Sequence, residues 1–229
     1  MQTILLATGN EKKGKELQEL CAGRFVVKTL KDLGLHGDPA ADVVEDAPDF
    51  LGNAWKKCHG IAALVAARGL AAGIDIVIAD DSGLCVDALD GHPGVRSARF
   101  AKDCGYGPTD GDGHALDKDA ANNRLLLTML APIPAERRGA HFACFVVARN
   151  IKTGAEVAAE GDVAGFIAKD LYRDDKGGAG GGFGYDPLFI VAEGESAGLR
   201  MAQLASEQKH AISHRARAFT ALAAALQER

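Results

Sequence analysis

Two adjacent carboxylates in the middle of the sequence are the residues best suited to do chemistry. Asp80 and Asp81 follow the apolar run 74–79, which is typical of a buried strand, and they precede Ser82 and Gly83. A strand that ends in two carboxylates places hard oxygen ligands at the edge of a sheet, where a magnesium ion and an attacking water can be held. An isolated pair of this kind more often lies in a cap or a solvated turn, so the assignment depends on the motifs around it.

A third carboxylate, Glu45 in the segment VVEDAPDF, is grouped with this pair. A triphosphate is strongly anionic, so acidic residues can promote its hydrolysis only through bound cations that screen the repulsion and polarise the phosphoryl group. The acidic residues therefore imply a metal ion as a partner.

The segment TGNEKKGKE, residues 8–16, is a candidate phosphate-binding turn because it lies between a predicted strand, residues 3–7, and a predicted helix, Glu11–Cys21. Backbone amides at a helix N-terminus and the neighbouring lysines can bind a phosphate chain. An Asn-capped surface helix with a solvated lysine face explains the same residues. The segment also matches G-x-x-x-x-G-K, but Glu16 stands where a P-loop needs Ser or Thr for magnesium, which argues against a P-loop.

Two C-terminal segments have the composition of a base-binding site. In GGFGYDP, residues 181–187, the glycines permit close backbone approach, and Phe183 and Tyr185 offer flat faces for a base. The alternative is a flexible hairpin tip with one core aromatic. Lys209 and the run 213–215 (Ser-His-Arg) can contact a phosphate or a purine carbonyl, or can simply be a polar cap followed by ordinary helix charges.

The elements that must position these residues alternate as in an α/β protein. Apolar spacing predicts helices over residues 49–67, 118–130, 201–207 and 214–227, and strands over residues 25–28, 84–87, 95–100 and 188–191. Residues 140–150 and 156–167 flank a Lys-Thr-Gly turn, which predicts a long hairpin and adds antiparallel pairing. Residues 102–113, rich in Gly, Asp and Pro, are predicted to form a surface loop.

Composition limits the classes of protein. A chain of 229 residues with 47% apolar residues can bury the core of one domain, or of one domain with two lobes. A net charge of −5 without runs of Lys or Arg argues against a nucleic-acid polymer as partner. Five cysteines without CxxC spacing indicate reduced core thiols, and the lack of a membrane-length apolar run predicts a cytoplasmic protein with no membrane partner.

Together the motifs resemble the inosine triphosphate pyrophosphatases, also called XTP/dITP diphosphatases. The matching segments occur in the family's order and cover the chain from residue 4 to about residue 226: LLATGNEKKGKEL, ADDSGLCVDALDGHPGVRSARF, GGFGYDPLF and KHAISHRARA. The resemblance implies an α/β fold, a mixed twisted sheet flanked by helices in two lobes around a central cleft, with residues 1–229 forming a single domain. It also implies a homodimer.

The activity implied by the resemblance is magnesium-dependent hydrolysis of ITP, dITP and XTP to the monophosphate and pyrophosphate, which clears them from the nucleotide pool. Asp81 is then the catalytic base and a Mg²⁺ ligand, Glu45 completes the metal site, Asp80 is a supporting ligand, and Ser82 contacts substrate. The remaining substrate-binding residues that the resemblance implies are Thr8, Gly9, Asn10, Glu11, Lys12 and Lys13 at the phosphates, Phe183, Gly184, Tyr185 and Asp186 around the base and sugar, and Lys209, His214 and Arg215 reading the base.

The chain departs from the family pattern at two places. Gly52 stands where members commonly have Glu, which removes a carboxylate near the metal, and Asp46 or Asp49 is the expected substitute. The loop 102–117 is longer and richer in glycine than the family leads us to expect.

Two other functions compete with this one. A P-loop-like NTPase or kinase would release or transfer orthophosphate, and a non-catalytic sensor would bind purine triphosphates without turnover. Identifying the released product as pyrophosphate or orthophosphate separates the pyrophosphatase from the NTPase or kinase, and tight binding without hydrolysis in magnesium would support the sensor.

Overall fold

The computed structural model of the protein describes residues 1–9, 11–21, 23–109, 113–173 and 182–227, leaving aside the side chains of Glu11, Lys12 and Glu16. Within these ranges the strands are β1 Thr3–Leu6, β2 Val26–Thr29, β3 Ile76–Val86, β4 Gly139–Asn150, β5 Glu156–Ile167 and β6 Phe189–Val191. The α-helices are α1 Glu11–Cys21, α2 Phe50–Ala67, α3 Phe100–Asp103, α4 Lys118–Leu130, α5 Ser206–Ile212 and α6 His214–Gln227.

The strands form a mixed six-stranded sheet in the order β2-β1-β3-β4-β5-β6. β1 pairs in parallel with β2 and with β3, and Leu5 lies opposite Val77. β5 pairs antiparallel with β6, and a short turn joins β4 to β5 as the predicted hairpin. A mixed sheet with helices confirms the predicted α/β class.

The chain divides into two compact units. Unit 1 consists of Met1–Asp81, Cys144–Gly161 and His214–Arg229, and unit 2 consists of Ser82–Ala143 and Asp162–Ser213.

The core of unit 1 has two layers, because successive side chains of a strand point to opposite faces of a sheet. Leu6 and Ile78 pack in a cluster with Leu17 of α1 and Phe219 of α6. On the other face, Leu5, Val77 and Ala79 pack in a cluster with Ala54, Cys58 and Ile61 of α2. Side chains of β3 therefore alternate between the α1 and α6 layer and the α2 layer.

Unit 2 has its own core, in which β-strand residues pack against α4. The cluster includes Leu84 of β3, Leu126 of α4 and Phe189 of β6, all fully buried. The rings of Phe142 and Phe189 lie 4.6 Å apart between centroids. This packing continues β3 beyond the pair of aspartates.

The structure corrects three predicted elements. β3 does not end at Asp80 but continues to Val86, so residues 84–87 are not a separate strand, because Leu84 and Val86 are buried in the core of unit 2. Residues 95–100 are not extended: they lie in the 3-10 helix Gly94–Arg99 and the start of α3, where the Ser97 hydroxyl donates to the Gly94 carbonyl. The single helix predicted over residues 201–207 is a short 3-10 helix, Met201–Gln203, followed by α5, since Leu204 is extended.

All five cysteines are free thiols, and Cys21, Cys58 and Cys144 are buried. Among the residues that the structure describes, no helix has the length and apolar character needed to cross a membrane.

Candidate functional site

Asp80 and Asp81 lie in the middle of β3, not in a turn. Their exposed fractions are 2% and 6%. Because burying an unpaired charge is costly, each carboxylate needs hydrogen-bond or ion-pair partners to stay ionised. The alternation of β3 directs Asp80 toward α1 and α6, and Asp81 toward α2.

Asp80 is paired with cations from α1 and α6. The Lys13 ammonium donates to Asp80 Oδ2 at 3.1 Å, and Arg215 Nε lies 4.0 Å from the same oxygen. Burial alone would raise the pKa of Asp80, but the positive charges of Lys13, Lys57 and Arg215 outweigh it and lower the pKa to about 2. Asp80 is therefore ionised throughout the neutral range.

Asp81 contacts two side chains of α2. Asn53 Nδ2 donates to Asp81 Oδ2 at 3.1 Å, and Lys57 Nζ lies 3.5 Å from Asp81 Oδ1. Burial raises the pKa of Asp81; the charges of Lys57 and Lys13 oppose this effect, whereas those of Glu45 and Asp80 add to it. Asp81 is thus more basic than an ordinary aspartate.

Lys57 joins Glu45 to Asp81. Its ammonium donates to Glu45 Oε2 at 3.3 Å as well as to Asp81, so two carboxylates from distant parts of the chain converge on one cation. Burial would lower the pKa of Lys57, but the nearby carboxylates of Asp81, Asp80 and Glu45 outweigh it and raise the pKa. We refer to Glu45, Lys57 and Asp81 as the Lys57 group.

The Lys57 group has a donor set that suits magnesium. Mg²⁺ in phosphoryl-transfer sites is typically held by one or two carboxylates, with waters and substrate phosphates completing its coordination. Glu45 and Asp81 supply two such carboxylates around a single positive charge. Within the described ranges, no set of three or more Asp, Glu, His or Cys side chains is assembled for a metal, and Asp80 pairs with Lys13 instead. The role of Asp80 as a supporting ligand stays a prediction.

The start of α2 explains why this chain has glycine at position 52. Asp49 caps the helix, accepting a hydrogen bond from the Gly52 amide at 2.7 Å. A Cβ atom at position 52 would lie 2.8 Å from the Cβ of Ala47, so a larger residue would displace this turn. Asp46 pairs with the exposed Lys56. Both carboxylates expected to replace the missing Glu are thus engaged in other contacts, and their role at a metal stays a prediction.

In unit 2, the predicted base-binding segment forms a turn that Asp186 holds together. Asp186 Oδ2 accepts from the Phe183 amide at 2.9 Å and from Lys209 Nζ at 2.5 Å. The Lys209 ammonium also lies 5.3 Å from the centroid of the Phe183 ring, within cation-π range. Gly182 has a φ of +107°, and a Cβ there would lie 2.3 Å from Asp186 Oδ2. The structure therefore brings Phe183, Asp186 and Lys209 together.

Tyr185 belongs to the core of unit 2. Its exposed fraction is 3%, and its hydroxyl donates to the Ser97 carbonyl at 3.0 Å. Burial, followed by the negative charge of Asp119, raises the pKa of Tyr185. The ring matches the alternative of one core aromatic, and its predicted contact with a base stays a prediction.

The other predicted residues lie near these groups in the chain. Thr8 and Gly9 form the turn after β1, and Ser82 follows Asp81 on β3. His214 and Arg215 are buried at the start of α6. Asn10 and the side chains of Glu11 and Lys12 lie outside the described residues. The roles of all these residues stay predictions.

Sequence reasoning missed Asn53 and Lys57. The two are four residues apart on α2, and they lie beside the core positions Ala54 and Cys58. The sequence signal that could have identified them is their four-residue spacing, which places two polar side chains together at the edge of an apolar helix face.

The chain is similar to known proteins over nearly its whole length. Residues 4–225 match the model of the Ham1 family. The chain is 41% identical over 229 residues to a dITP/XTP pyrophosphatase of Streptomyces coelicolor, covering 100% of this chain and 98% of that protein. It is 40% identical over 223 residues to a dITP/XTP pyrophosphatase of Opitutus terrae, covering 95% of each.

Solved structures of similar proteins superpose on nearly the whole chain. The Ham1 protein of Staphylococcus aureus gives a TM-score of 0.73 at 32% identity and covers 99% of both chains. A nucleoside-triphosphatase / dITP/XTP pyrophosphatase of Mycobacterium abscessus gives 0.64 at 36% identity, covering 96% of this chain and 98% of the other.

Proposed function

The chain belongs to the Ham1 family, and from this membership we propose that it hydrolyses ITP, dITP and XTP to the nucleoside monophosphate and pyrophosphate. The name dITP/XTP pyrophosphatase, shared by the relatives, supports this activity. The single observation that carries it is the Lys57 group beside the Asp80–Lys13 pair, because it combines carboxylates for a metal with cations for a triphosphate. Such an enzyme would clear deaminated purines from the nucleotide pool.

The metal we propose is Mg²⁺, held by Glu45 and Asp81. When bound, it would screen the phosphate charges and polarise the phosphoryl group that is attacked. Asp81 orients the attacking water and accepts its proton. Lys57 keeps the two carboxylates together by offsetting their mutual repulsion. Asp80 stays ionised and orients Lys13, which neutralises the departing pyrophosphate.

Base selection follows from donors and an aromatic face. Hypoxanthine and xanthine present a carbonyl at position 6, whereas adenine presents an amino group there. Lys209, His214 and Arg215 are the proposed donors to that carbonyl, and Phe183 the proposed face for the ring. A site built on polar matching can discriminate by about 10⁴-fold, because the wrong base leaves a buried donor unpaired.

We propose that the two units are lobes of one catalytic domain spanning residues 1–229.

A nucleotide panel tests the activity. ITP, dITP, XTP, ATP and GTP are incubated with the protein, with and without Mg²⁺, and the released product is identified as pyrophosphate or orthophosphate. We expect pyrophosphate from the deaminated purines in the presence of Mg²⁺ and little turnover of ATP. Orthophosphate release would favour a P-loop-like NTPase, and tight binding of ITP without turnover would favour a nucleotide sensor. Either result overturns the proposal.

We propose a homodimer that acts in the cytoplasm, where the nucleotide pool is, and that does not bind a nucleic-acid polymer. The net charge of −5 supports the last point, since binding a polyanion favours a basic face. Mass determination in solution at several concentrations tests the dimer.

A further inference from the structure

Helix α4 holds the backbone of Gly184 from both sides. Asp119 and Asn123 are four residues apart on α4, so they project from the same face of the helix. Asp119 Oδ2 accepts a hydrogen bond from the Gly184 amide at 2.9 Å. Asn123 Nδ2 donates to the Gly184 carbonyl at 2.8 Å. Two side chains of one helix thereby satisfy both backbone polar groups of a single residue.

These two hydrogen bonds fix the peptide planes on either side of Gly184. The amide belongs to the plane shared with Phe183, and the carbonyl belongs to the plane shared with Tyr185. Gly184 itself has a φ of +63°, a left-handed conformation that glycine adopts without strain. The peptide plane before Phe183 is held as well, because the Phe183 amide donates to Asp186 Oδ2 at 2.9 Å. With the planes on both sides of Phe183 held, the direction in which its side chain leaves the backbone is fixed.

The position of Asn123 that allows this contact leaves its side-chain oxygen without a hydrogen bond in the described part of the chain. Its exposed fraction is 3%, and its Oδ1 atom is buried without a hydrogen-bond partner within the described part of the chain. Buried polar atoms are rarely left in this state, because an unpaired acceptor has lost its water. An apolar residue at position 123 would avoid that penalty but could not donate to Gly184. Asp119 also lies near Tyr185, the residue after Gly184, because burial and then the negative charge of Asp119 raise the pKa of that tyrosine.

We propose that Asp119 and Asn123 are positioning residues for base recognition, acting by holding Gly184 so that Phe183 and Lys209 present a fixed surface to the purine. This inference rests on the proposed function, in which Phe183 and Lys209 contact the base. It assigns to α4 a role in selecting ITP over ATP that the sequence motifs did not suggest.

The test compares Asp119→Ala and Asn123→Ala with Asp117→Ala. Asp117 caps the same helix, accepting from the Ala120 amide at 2.8 Å, so its variant weakens α4 without touching Gly184.

Three quantities are measured for each variant: KM and kcat for ITP, the ratio of kcat/KM between ITP and ATP, and the hydrogen exchange of the Gly184 amide. We expect the two Gly184-contact variants to raise KM for ITP by about tenfold, with a smaller effect on kcat, and to lower the ITP-over-ATP ratio. Exchange at Gly184 should become faster in both variants and stay unchanged in Asp117→Ala.

A conservative variant separates positioning from general stability. Asp119→Asn keeps an oxygen that can accept from the Gly184 amide, and it should recover most of the KM and selectivity lost in Asp119→Ala. If Asn123→Ala does not fold, the comparison of Asp119→Ala with Asp119→Asn decides. KM and selectivity equal to those of Asp117→Ala would overturn the positioning role while leaving the proposed function intact. A wild-type protein that releases no pyrophosphate would overturn both.

Discussion

Asp80 and Asp81 are adjacent in sequence, yet their carboxylates pair with cations from different helices. Asp80 lies 3.1 Å from the ammonium of Lys13 on α1, and Asp81 lies 3.5 Å from that of Lys57 on α2. The pleat of β3 causes this division, since it sends neighbouring side chains to opposite faces. The pKa of Asp80 is lowered to about 2 and that of Asp81 is raised, so one carboxylate is a fixed charge and the other is the more basic.

Replacing Asp81 by Asn should abolish most of the turnover. The substitution keeps the size of the side chain but removes the proton acceptor and one of the two carboxylates that face Lys57. We expect kcat for ITP to fall by about 10² to 10⁴-fold, with a smaller change in KM, as measured by pyrophosphate release. Asp170→Asn is the matched control, because Asp170 is an exposed carboxylate paired with Arg200 outside the proposed site, and it should retain wild-type kcat. A kcat near the wild-type value in Asp81→Asn would remove Asp81 from the role of base.

Two adjacent lysines on α2 give a test of the Lys57 group. Lys57 is largely buried between Glu45 and Asp81, whereas Lys56 is half-exposed and pairs with an exposed aspartate. Lys57→Met should lower the free energy of unfolding by about 3 kcal/mol in EDTA, because it leaves the buried carboxylate of Asp81 and the partly exposed carboxylate of Glu45 without their cation. Lys56→Met should change it by about 0.5 kcal/mol or less.

Added Mg²⁺ should distinguish the two lysine variants further. If Glu45 and Asp81 can hold the ion, Mg²⁺ should raise the Tm of Lys57→Met more than that of the wild type, since the ion supplies the missing positive charge. Scanning calorimetry at several Mg²⁺ concentrations measures this. Equal shifts in Lys57→Met, Lys56→Met and the wild type would mean that these carboxylates do not bind the metal.

Asp80 should contribute to stability in a defined range of pH. Its pKa is about 2 in the folded protein and about 4 in an unfolded chain, so the unfolded state binds more protons between these values. The contribution, about 2 kcal/mol, is therefore complete above pH 4 and is lost as the pH falls toward 2. Urea unfolding of the wild type and of Asp80→Asn from pH 7 to pH 2.5 should show a difference that is constant down to about pH 4 and shrinks below it. A difference independent of pH would show that Asp80 has an ordinary pKa in the folded state.

Local patterns in the sequence predicted the elements whose signals are local. The helices α1, α2, α4 and α6 and the hairpin of β4 and β5 agree closely with their apolar spacing and turn residues. The end of β3 was predicted wrongly because Ser82 and Gly83 are turn-forming types, whereas burial of Leu84 and Val86 keeps the strand extended.

Contacts between distant residues could not be predicted in the same way. Nothing in the local sequence shows that Lys57 meets both Glu45 and Asp81, because the pairing depends on how α2 packs on β3. Arg138 is another example: it is buried and donates to the carbonyls of Leu130, Ile133 and Ala168, a role that no spacing indicates. Chemical type identified Asp81, but only the fold identified its partners.

Gly161 on β5 allows α6 to approach the strand, and a single methyl group should disturb that contact. A Cβ atom at position 161 would lie 2.4 Å from the amide nitrogen of Ala218 and 2.5 Å from the carbonyl oxygen of His214, both backbone atoms of α6 that cannot rotate away. We expect Gly161→Ala to lower the free energy of unfolding by about 2 kcal/mol or more, as measured by urea denaturation. It should also reduce activity, because displacing the start of α6 moves Arg215 away from Asp80.

Gly107→Ala is the control for Gly161→Ala, since an added Cβ there meets no atom within 4 Å and should leave both stability and activity unchanged. Wild-type stability in Gly161→Ala would show that α6 does not pack against β5 at this distance.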